Sequence, residues 1–212
     1  ADEIMKQMNS NRRFSDFAVL YRMNSMSNSI ERCFVRSGIP YRIIGGHKFY
    51  ERMEIKDALA YLSVIANHDD NYRLERIINV PKRGIGATTI NTAKEIADAL
   101  GMSLFQVLKT SDEYEKLKRS SAKLIEFTNM IEGFSDLLTR ESPSSVFISL
   151  LDETGYKASL LNDKEKGEER LQNLDELNFP LSSVIITKQC KCVVFSSLLR
   201  SARSILPLPK VS

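Results

Sequence analysis

The chain has 212 residues, of which 42% are apolar and 27% are charged, a composition typical of a folded globular protein rather than a disordered one. Its net charge of +3 arises in residues 178–212, which hold five basic residues and no acidic one, so the rest of the chain carries a net charge of −2. A general basic field for nucleic acid is therefore excluded from residues 1–177. No apolar run is long enough to span a membrane, and three cysteines, an odd count, fit a reducing, cytoplasmic location.

The first predicted elements form a small α/β piece. The apolar run at residues 17–21 predicts a buried strand, and the spacing of Ile30 and Phe34 predicts a helix after it. Gly38 ends that helix, and residues 41–44 predict a second strand. A strand, a helix and a strand in so short a segment indicate a βαβ unit with parallel strands.

After Gly45 and Gly46 the apolar pattern becomes helical. Helical stripes are predicted at residues 55–66, 74–78, 90–100, 104–108, 114–138, 144–151 and 171–177. Gly101 should close the third of these helices, and Ser144 should cap the sixth. The predicted fold class is mixed α/β but mainly α: a βαβ piece followed by an all-helical domain.

The sequence contains no catalytic constellation. The phosphate-binding loop, Gly-x-x-x-x-Gly-Lys followed by Ser or Thr, is absent, so nothing is expected to hold the β- and γ-phosphates of ATP. Glu54 and Asp57 lie one helical turn apart, but with Arg52 and Lys56 beside them we interpret the group as a surface ion-pair cluster. The chain alone is therefore predicted to lack ATPase activity, and we assign no catalytic or metal-binding residue.

The most informative motif is Pro-Lys-Arg-Gly-Ile-Gly-Ala-Thr-Thr at residues 81–89. Two glycines one residue apart permit a tight turn and close approach to another molecule, and either threonine could cap the next helix. Free N–H groups at a helix N-terminus, with cations nearby, suit a phosphate and read no base. The candidate residues for binding a nucleic-acid backbone are Lys82, Arg83, Gly84, Ile85, Gly86, Ala87, Thr88 and Thr89. The alternative is a plain helix–helix turn with a charged edge.

A second candidate site follows the first predicted strand. Ligands of open α/β sheets bind beyond the carboxyl ends of the strands. Arg22 offers a charged fork at that position, and Asn24 offers an amide. The alternative is a strand end whose polar residues meet only water.

Taken in order, five blocks of sequence resemble the UvrD/PcrA/Rep-like DNA helicases, and the resemblance covers roughly residues 14–177. The blocks are residues 16–31, 37–67, 76–90, 155–163 and 169–177. Such helicases have two RecA-like motor domains with inserted accessory domains, bind ATP and Mg²⁺ between the motors, and move 3′ to 5′ on single-stranded DNA. The resemblance implies a chain that is a fragment of such a helicase, with ATP and Mg²⁺ bound by the complete protein.

The resemblance also assigns domains and partners. Residues 1–46 would be part of the second motor domain, residues 47–177 part of its helical accessory domain, and residues 178–212 an atypical tail. The tail is explained either by a shifted reading frame or by a divergent native extension. DNA is the implied partner, with the 81–89 motif on the duplex and with Arg22 and Asn24 along the single strand. The alternative is a helical docking module for repair or transcription proteins, without enzymatic activity.

One departure from the family removes a predicted contact. The family has Asn-Ala-Gln-Ser-Arg after the first strand, whereas residues 24–28 here read Asn-Ser-Met-Ser-Asn. The charged contact that relatives would make at position 28 is therefore not expected from Asn28.

Overall fold

The structure, a computed structural model, describes residues 1–8, 12–21, 26–44 and 49–182, with side chains described up to residue 178. Among these residues none of the helices combines the length and apolar character needed to cross a membrane. The α-helices in the described ranges are α1 (Asp2–Met8), α2 (Met26–Arg36), α3 (Met53–Ala66), α4 (Asn71–Ile77), α5 (Ala87–Leu100), α6 (Leu104–Lys109), α7 (Ser121–Leu137), α8 (Pro143–Glu153), α9 (Tyr156–Leu161) and α10 (Gly167–Ser182).

The chain divides into two compact units, Ala1–Arg52 and Met53–Ser212. We call them the N-terminal unit and the helical unit. The mainly helical fold is confirmed in the described residues. The division into a motor piece, an accessory domain and a tail at residues 46 and 177 stays a prediction.

The two strands predicted in the N-terminal unit are not found. Residues 17–21 and 41–44 lie in the described part of the chain without forming a strand, and Leu20 and Ile44 are 94% and 89% exposed. A strand needs a hydrogen-bonded neighbour, and an apolar run in the sequence does not say which segment provides that neighbour. The βαβ piece is therefore not part of the observed fold.

Helix α2, between those two segments, is present as predicted, and hydrogen bonds connect it to the residues that follow. It ends before Gly38, which adopts the left-handed conformation at φ +65°. The buried carboxylate of Glu31 accepts hydrogen bonds from the Tyr41 hydroxyl at 3.1 Å and from the Phe49 N–H at 3.2 Å. Burial, together with the Glu31 carboxylate, raises the pKa of Tyr41, so this hydroxyl remains a donor.

Helix α3 forms the centre of the helical unit. Eleven of its 14 residues are buried, because the helix carries apolar or small side chains on almost every face. It packs against α4, α7 and α10, while α6 packs on α5 and α7, and α8 and α9 pack on α10. The core of this unit is therefore arranged around α3.

The two carboxylates of α3 lie in that core. Glu54 and Asp57 are each 4% exposed, so the interpretation as a surface ion-pair cluster is wrong. Asp57 accepts hydrogen bonds from Arg76 at 2.7 Å and from the Tyr156 hydroxyl at 2.8 Å, and Glu54 accepts one from Asn173 at 2.7 Å. Their charged neighbours in sequence suggested a solvated face, but the packing of other helices around α3 encloses both side chains.

Two predicted helix starts are also wrong. Helix α7 begins after Ser120 rather than at residue 114, because the buried Leu117 lies in a preceding turn. Helix α8 is capped by Ser142 rather than Ser144, with Pro143 as its first residue. Proline suits that position because its missing N–H would have no partner in the first turn of a helix.

Helix α10 passes the end of the predicted accessory domain. The helix extends from Gly167 to Ser182 and so includes the first residues of the predicted tail. Residues 183–212, with the two β-branched runs and the five basic residues of the tail, lie outside the described residues.

Candidate nucleic-acid interface

Residues 79–86 (the hairpin) connect α4 to α5 and contain most of the predicted motif. The side-chain oxygen of Asn79 accepts hydrogen bonds from the backbone N–H of Arg83 at 2.8 Å and of Ile85 at 3.3 Å. Ile85 is 1% exposed, so its side chain anchors the hairpin in the core. The candidate residues Lys82 to Gly86 thus lie on this connection and Ala87 to Thr89 form the first turn of α5, with Asn79 as an organising residue that the motif did not reveal.

The two glycines of the hairpin have different roles. Gly84 has φ +71°, a left-handed conformation that disfavours other residues, and a Cβ built on it would lie 2.7 Å from Lys123 Nζ. Gly86 has φ −82° and ψ 160°, which any residue adopts, and a Cβ there would meet nothing within 4 Å. The backbone therefore requires glycine at position 84, whereas at position 86 glycine only leaves the surface open.

Helix α5 begins with unsatisfied N–H groups beside the hairpin. Gly86 is its N-cap, and the Gly86 carbonyl accepts from Ile90 N–H at 3.2 Å, so the expected threonine cap is wrong. The backbone of Gly86 is already extended, which leaves both threonines inside the helix. No described side chain caps the first turn, and the N–H groups of Ala87, Thr88 and Thr89 are left for an external acceptor.

Arg83 stabilises the hairpin from the inside. Its Nη1 donates to the carbonyls of Ile77 and Pro81, both at 3.2 Å, and its Nη2 donates to the Tyr61 hydroxyl at 2.7 Å. The guanidinium also lies 5.2 Å from the centroid of the Phe127 ring. Much of the hydrogen-bonding capacity of Arg83 is thus used within the protein.

Tyr61 supports the hairpin from α3. Burial raises its pKa to about 12, although the neighbouring Arg83 lowers it, so the hydroxyl is protonated at neutral pH. It donates a hydrogen bond to the Val80 carbonyl at 2.5 Å. Lys82, in contrast, is exposed and is the cation of the hairpin that faces solvent. Sequence spacing could not have identified Tyr61, because it lies on a different helix.

Arg22 and Asn24 lie outside the described residues. Their assignment to a single-stranded DNA path stays a prediction.

Comparisons with known proteins cover most of the chain. A family model described as the UvrD-like helicase C-terminal domain matches residues 1–192. The ATP-dependent DNA helicase PcrA of Staphylococcus epidermidis is 41% identical over 177 residues, which cover 82% of this chain and 24% of that protein. PcrA of Bacillus subtilis is 39% identical over 166 residues, covering 78% of this chain and 22% of the relative. PcrA of Staphylococcus aureus is 35% identical over 175 residues, covering 82% of this chain. This chain spans about a quarter of the length of these relatives, 24% of the first of them.

Proposed function

The chain belongs to the family of UvrD-like helicase C-terminal domains, and we propose from this that it works within an ATP-dependent 3′–5′ DNA helicase of DNA repair or replication. Its contribution there is DNA binding. The match to PcrA proteins at about 40% identity over most of the chain supports the proposal. The observation that carries the DNA-binding role is the open N-terminus of α5, presented next to the hairpin.

The hairpin and the start of α5 would bind the phosphate backbone of duplex DNA. Three N–H groups at a helix N-terminus attract an anion through hydrogen bonds and through the helix dipole. Gly86 leaves room for a close approach, and the exposed Lys82 adds charge. None of these groups can distinguish one base from another, so the binding should be independent of sequence.

Replacement of Gly86 by valine tests this role directly. Its backbone angles and the open space around it allow a side chain without strain, so Gly86→Val should fold normally. The branched side chain would keep a phosphate away from the N–H groups. The affinity for DNA should fall about tenfold, which corresponds to roughly the free energy of one charge-assisted hydrogen bond. Fluorescence anisotropy with a labelled DNA hairpin that carries a 3′ single-stranded tail measures the change.

Gly133→Val on α7 is the matched control for that substitution, because Gly133 is exposed and equally open. It should leave DNA binding unchanged. A loss for Gly86→Val that depends on the DNA sequence would contradict binding to the backbone.

The N-terminal unit would belong to the second RecA-like motor domain of the complete helicase. Residues 17–21 and 41–44 would become strands when the rest of that sheet is present, which would cover Leu20 and Ile44. Arg22 and Asn24 would then lie along the single-stranded DNA. ATP and Mg²⁺ would be held by the motor domains of the complete protein.

We expect no ATP hydrolysis by this chain alone, because its sequence lacks the phosphate-binding loop. The measurement is phosphate release with Mg²⁺ and single-stranded DNA, compared with a protein-free blank. Turnover above the blank by a homogeneous preparation would refute this expectation.

Docking of repair or transcription proteins is the second candidate function. Large apolar side chains on the helical unit are exposed, among them Tyr72 at 79% and Leu161 at 50%, and such residues can anchor a partner. Capture of a partner by the immobilised chain should then survive nuclease treatment. If nuclease abolishes the capture, the chain and the captured protein are joined by DNA that both of them bind.

A further inference from the structure

We propose that Lys123 of α7 is a second cation of the DNA-backbone site and binds the phosphate that approaches the hairpin at Gly84. This inference rests on the proposed DNA-binding function and adds a residue 34 positions beyond the last residue of the 81–89 motif. Local spacing around the two glycines could not reveal it. The helix that carries Lys123 is distant from the hairpin in sequence and contacts it only in the folded protein.

Two contacts place α7 against the hairpin and α5. Arg83 of the hairpin lies with its guanidinium 5.2 Å from the Phe127 ring centroid, and Phe127 is buried on α7. The Thr89 hydroxyl at the start of α5 lies 3.5 Å from the hydroxyl of Ser120, the N-cap of α7. Lys123 lies between Ser120 and Phe127 and, being four residues before Phe127, shares its face of the helix.

This arrangement brings the Lys123 ammonium group over Gly84. A Cβ at Gly84 would lie 2.7 Å from Lys123 Nζ, so the ammonium occupies the space that a side chain would take. The first N–H group of α5, that of Ala87, follows three residues further along the chain. A phosphate at this point would meet an ammonium group and a helix N-terminus together.

Lys123 does not lie where its charge would stabilise its own helix. Lys123 lies in the first turn of α7, where the positive end of the helix dipole disfavours a cation. In the described part of the chain, no carboxylate lies within ion-pair distance of it, whereas Lys118 pairs with Glu115 at 3.5 Å and Lys109 pairs with Glu132 at 2.6 Å. An anionic ligand would balance this local positive charge.

The ligand chemistry is that of a phosphodiester rather than of a base. Lysine presents a compact point charge that suits a phosphate oxygen, and the neighbouring donors are backbone N–H groups, which carry no sequence information. Arg83 has donors already engaged with Ile77, Pro81 and Tyr61. Among the described residues, Lys123 and Lys82 are therefore cations at the hairpin that are open to a phosphate.

The test is the salt dependence of DNA binding by the full chain. Binding of the labelled 3′-tailed DNA hairpin is measured by fluorescence anisotropy over a series of salt concentrations. Lys123→Gln should reduce the slope of log K against log salt by about 0.9, the value for one phosphate contact. Lys123→Arg, which keeps the charge, should retain the slope.

Lys157→Gln is the matched control. Lys157 is an exposed lysine of α9, a helix that packs on α8 and α10, and its ion pair with Asp152 at 3.5 Å is exposed on both sides. This variant should keep the slope of the unsubstituted protein. Thermal unfolding of Lys123→Gln should show no loss of stability relative to the unsubstituted protein, because the exposed side chain has no ion-pair partner in the described residues to lose and the helix dipole disfavours its charge.

The possible results separate this inference from the proposed function. If Gly86→Val weakens binding while Lys123→Gln and Lys157→Gln behave alike, Lys123 makes no phosphate contact and only this inference is overturned. If the unsubstituted chain does not bind, or if Gly86→Val has no effect, the proposed function fails and this inference with it. A reduced slope for Lys123→Gln alone, restored in Lys123→Arg, supports it.

Discussion

The side chains that hold the hairpin in place come from outside the 81–89 motif. Asn79 binds two N–H groups of the turn, and Tyr61 binds both the Val80 carbonyl and Arg83. Arg83, which looks in sequence like a cation for DNA, is largely occupied within the protein. Single residues of the motif therefore divide into those that shape the hairpin and those that remain available to a ligand.

Gly84→Ala should lower the free energy of unfolding by about 1–2 kcal/mol, the cost of a non-glycine residue in the left-handed conformation. The new Cβ would also displace the flexible end of Lys123, which lies 2.7 Å away. Urea denaturation followed by circular dichroism measures the change. Gly133→Ala, inside α7 and free of contacts, should instead raise the free energy of unfolding by about 0.5–1 kcal/mol. Equal effects at the two positions would show that Gly84 is not conformationally required.

The raised pKa of Tyr61 predicts a dependence of stability on alkaline pH. Its pKa is about 12 in the folded protein and about 10 in an unfolded chain. The stabilisation from this difference is complete below pH 10 and is lost as the pH rises from about 10 to 12. Tyr61→Phe should lose stability less steeply over that interval, as measured by urea denaturation at several pH values. The other tyrosines titrate in both proteins, so only Tyr61 distinguishes them. Parallel curves of unfolding free energy against pH would therefore contradict the raised pKa of Tyr61.

Between helices, buried polar contacts supplement apolar packing. Asp57 connects three helices, since it lies on α3 and accepts hydrogen bonds from Arg76 of α4 and Tyr156 of α9. These contacts fix the position of α4, and the hairpin begins where α4 ends. Helix α3 therefore affects the candidate site without contacting a ligand.

Asp57→Ala should lower the free energy of unfolding by about 2–3 kcal/mol, because it leaves Tyr156 and Arg76 without their acceptor in a buried setting. Part of the Arg76 side chain is exposed, at 35%, which limits the loss. The exposed pair of Asp152 and Lys157 is the comparison, and Asp152→Ala should cost less than about 1 kcal/mol. Thermal and urea unfolding measure the loss of stability in the two variants. A larger loss for Asp57→Ala than for Asp152→Ala would show that the buried carboxylate stabilises the fold.

The sequence was informative for helices with a clear period and a clear end. The stripe of α3 and the closure of α5 by Gly101, at φ +63°, were predictable because local chemistry determines them. The start of α7 was not predictable, because the buried side chain of Leu117 belongs to a turn that precedes the helix. The absence of strands at residues 17–21 and 41–44 was not predictable either, since strand pairing depends on distant segments.

For the candidate site, the sequence predicted the place but not the division of roles. Two closely spaced glycines before a helix indicated the hairpin from local geometry alone. The inward position of Arg83 depends on Tyr61 and Phe127, which lie 22 and 44 residues away in sequence. Lys123 approaches Gly84 for the same reason. Contacts between distant elements cannot be deduced from spacing within one segment.

Across the whole molecule, the two units differ in how well they are packed. In the described residues of the N-terminal unit, the buried apolar side chains are Ile39 and Phe49, while Leu20 and Ile44 are almost fully exposed. The helical unit buries α3 almost completely. A unit with few buried apolar contacts opens at a lower free energy than one with a continuous core.

Hydrogen exchange should therefore show residues 17–44 opening before residues 55–138. Amide exchange measured by mass spectrometry on the intact chain gives the order directly. Exchange that proceeds in the reverse order would mean that the N-terminal unit has a partner surface that stabilises it.

The hydrogen bond from Asn173 to Glu54 joins residues 119 positions apart, and that from Tyr156 to Asp57 joins residues 99 apart. During synthesis on the ribosome, α3 emerges long before α9 and α10, so its two carboxylates are without these partners for most of that time. The helical unit can reach its final packing only after Asn173 has left the exit tunnel, and contacts between residues so far apart in sequence slow folding. Until then the side of α3 that packs on α10 presents apolar surface that a chaperone could bind.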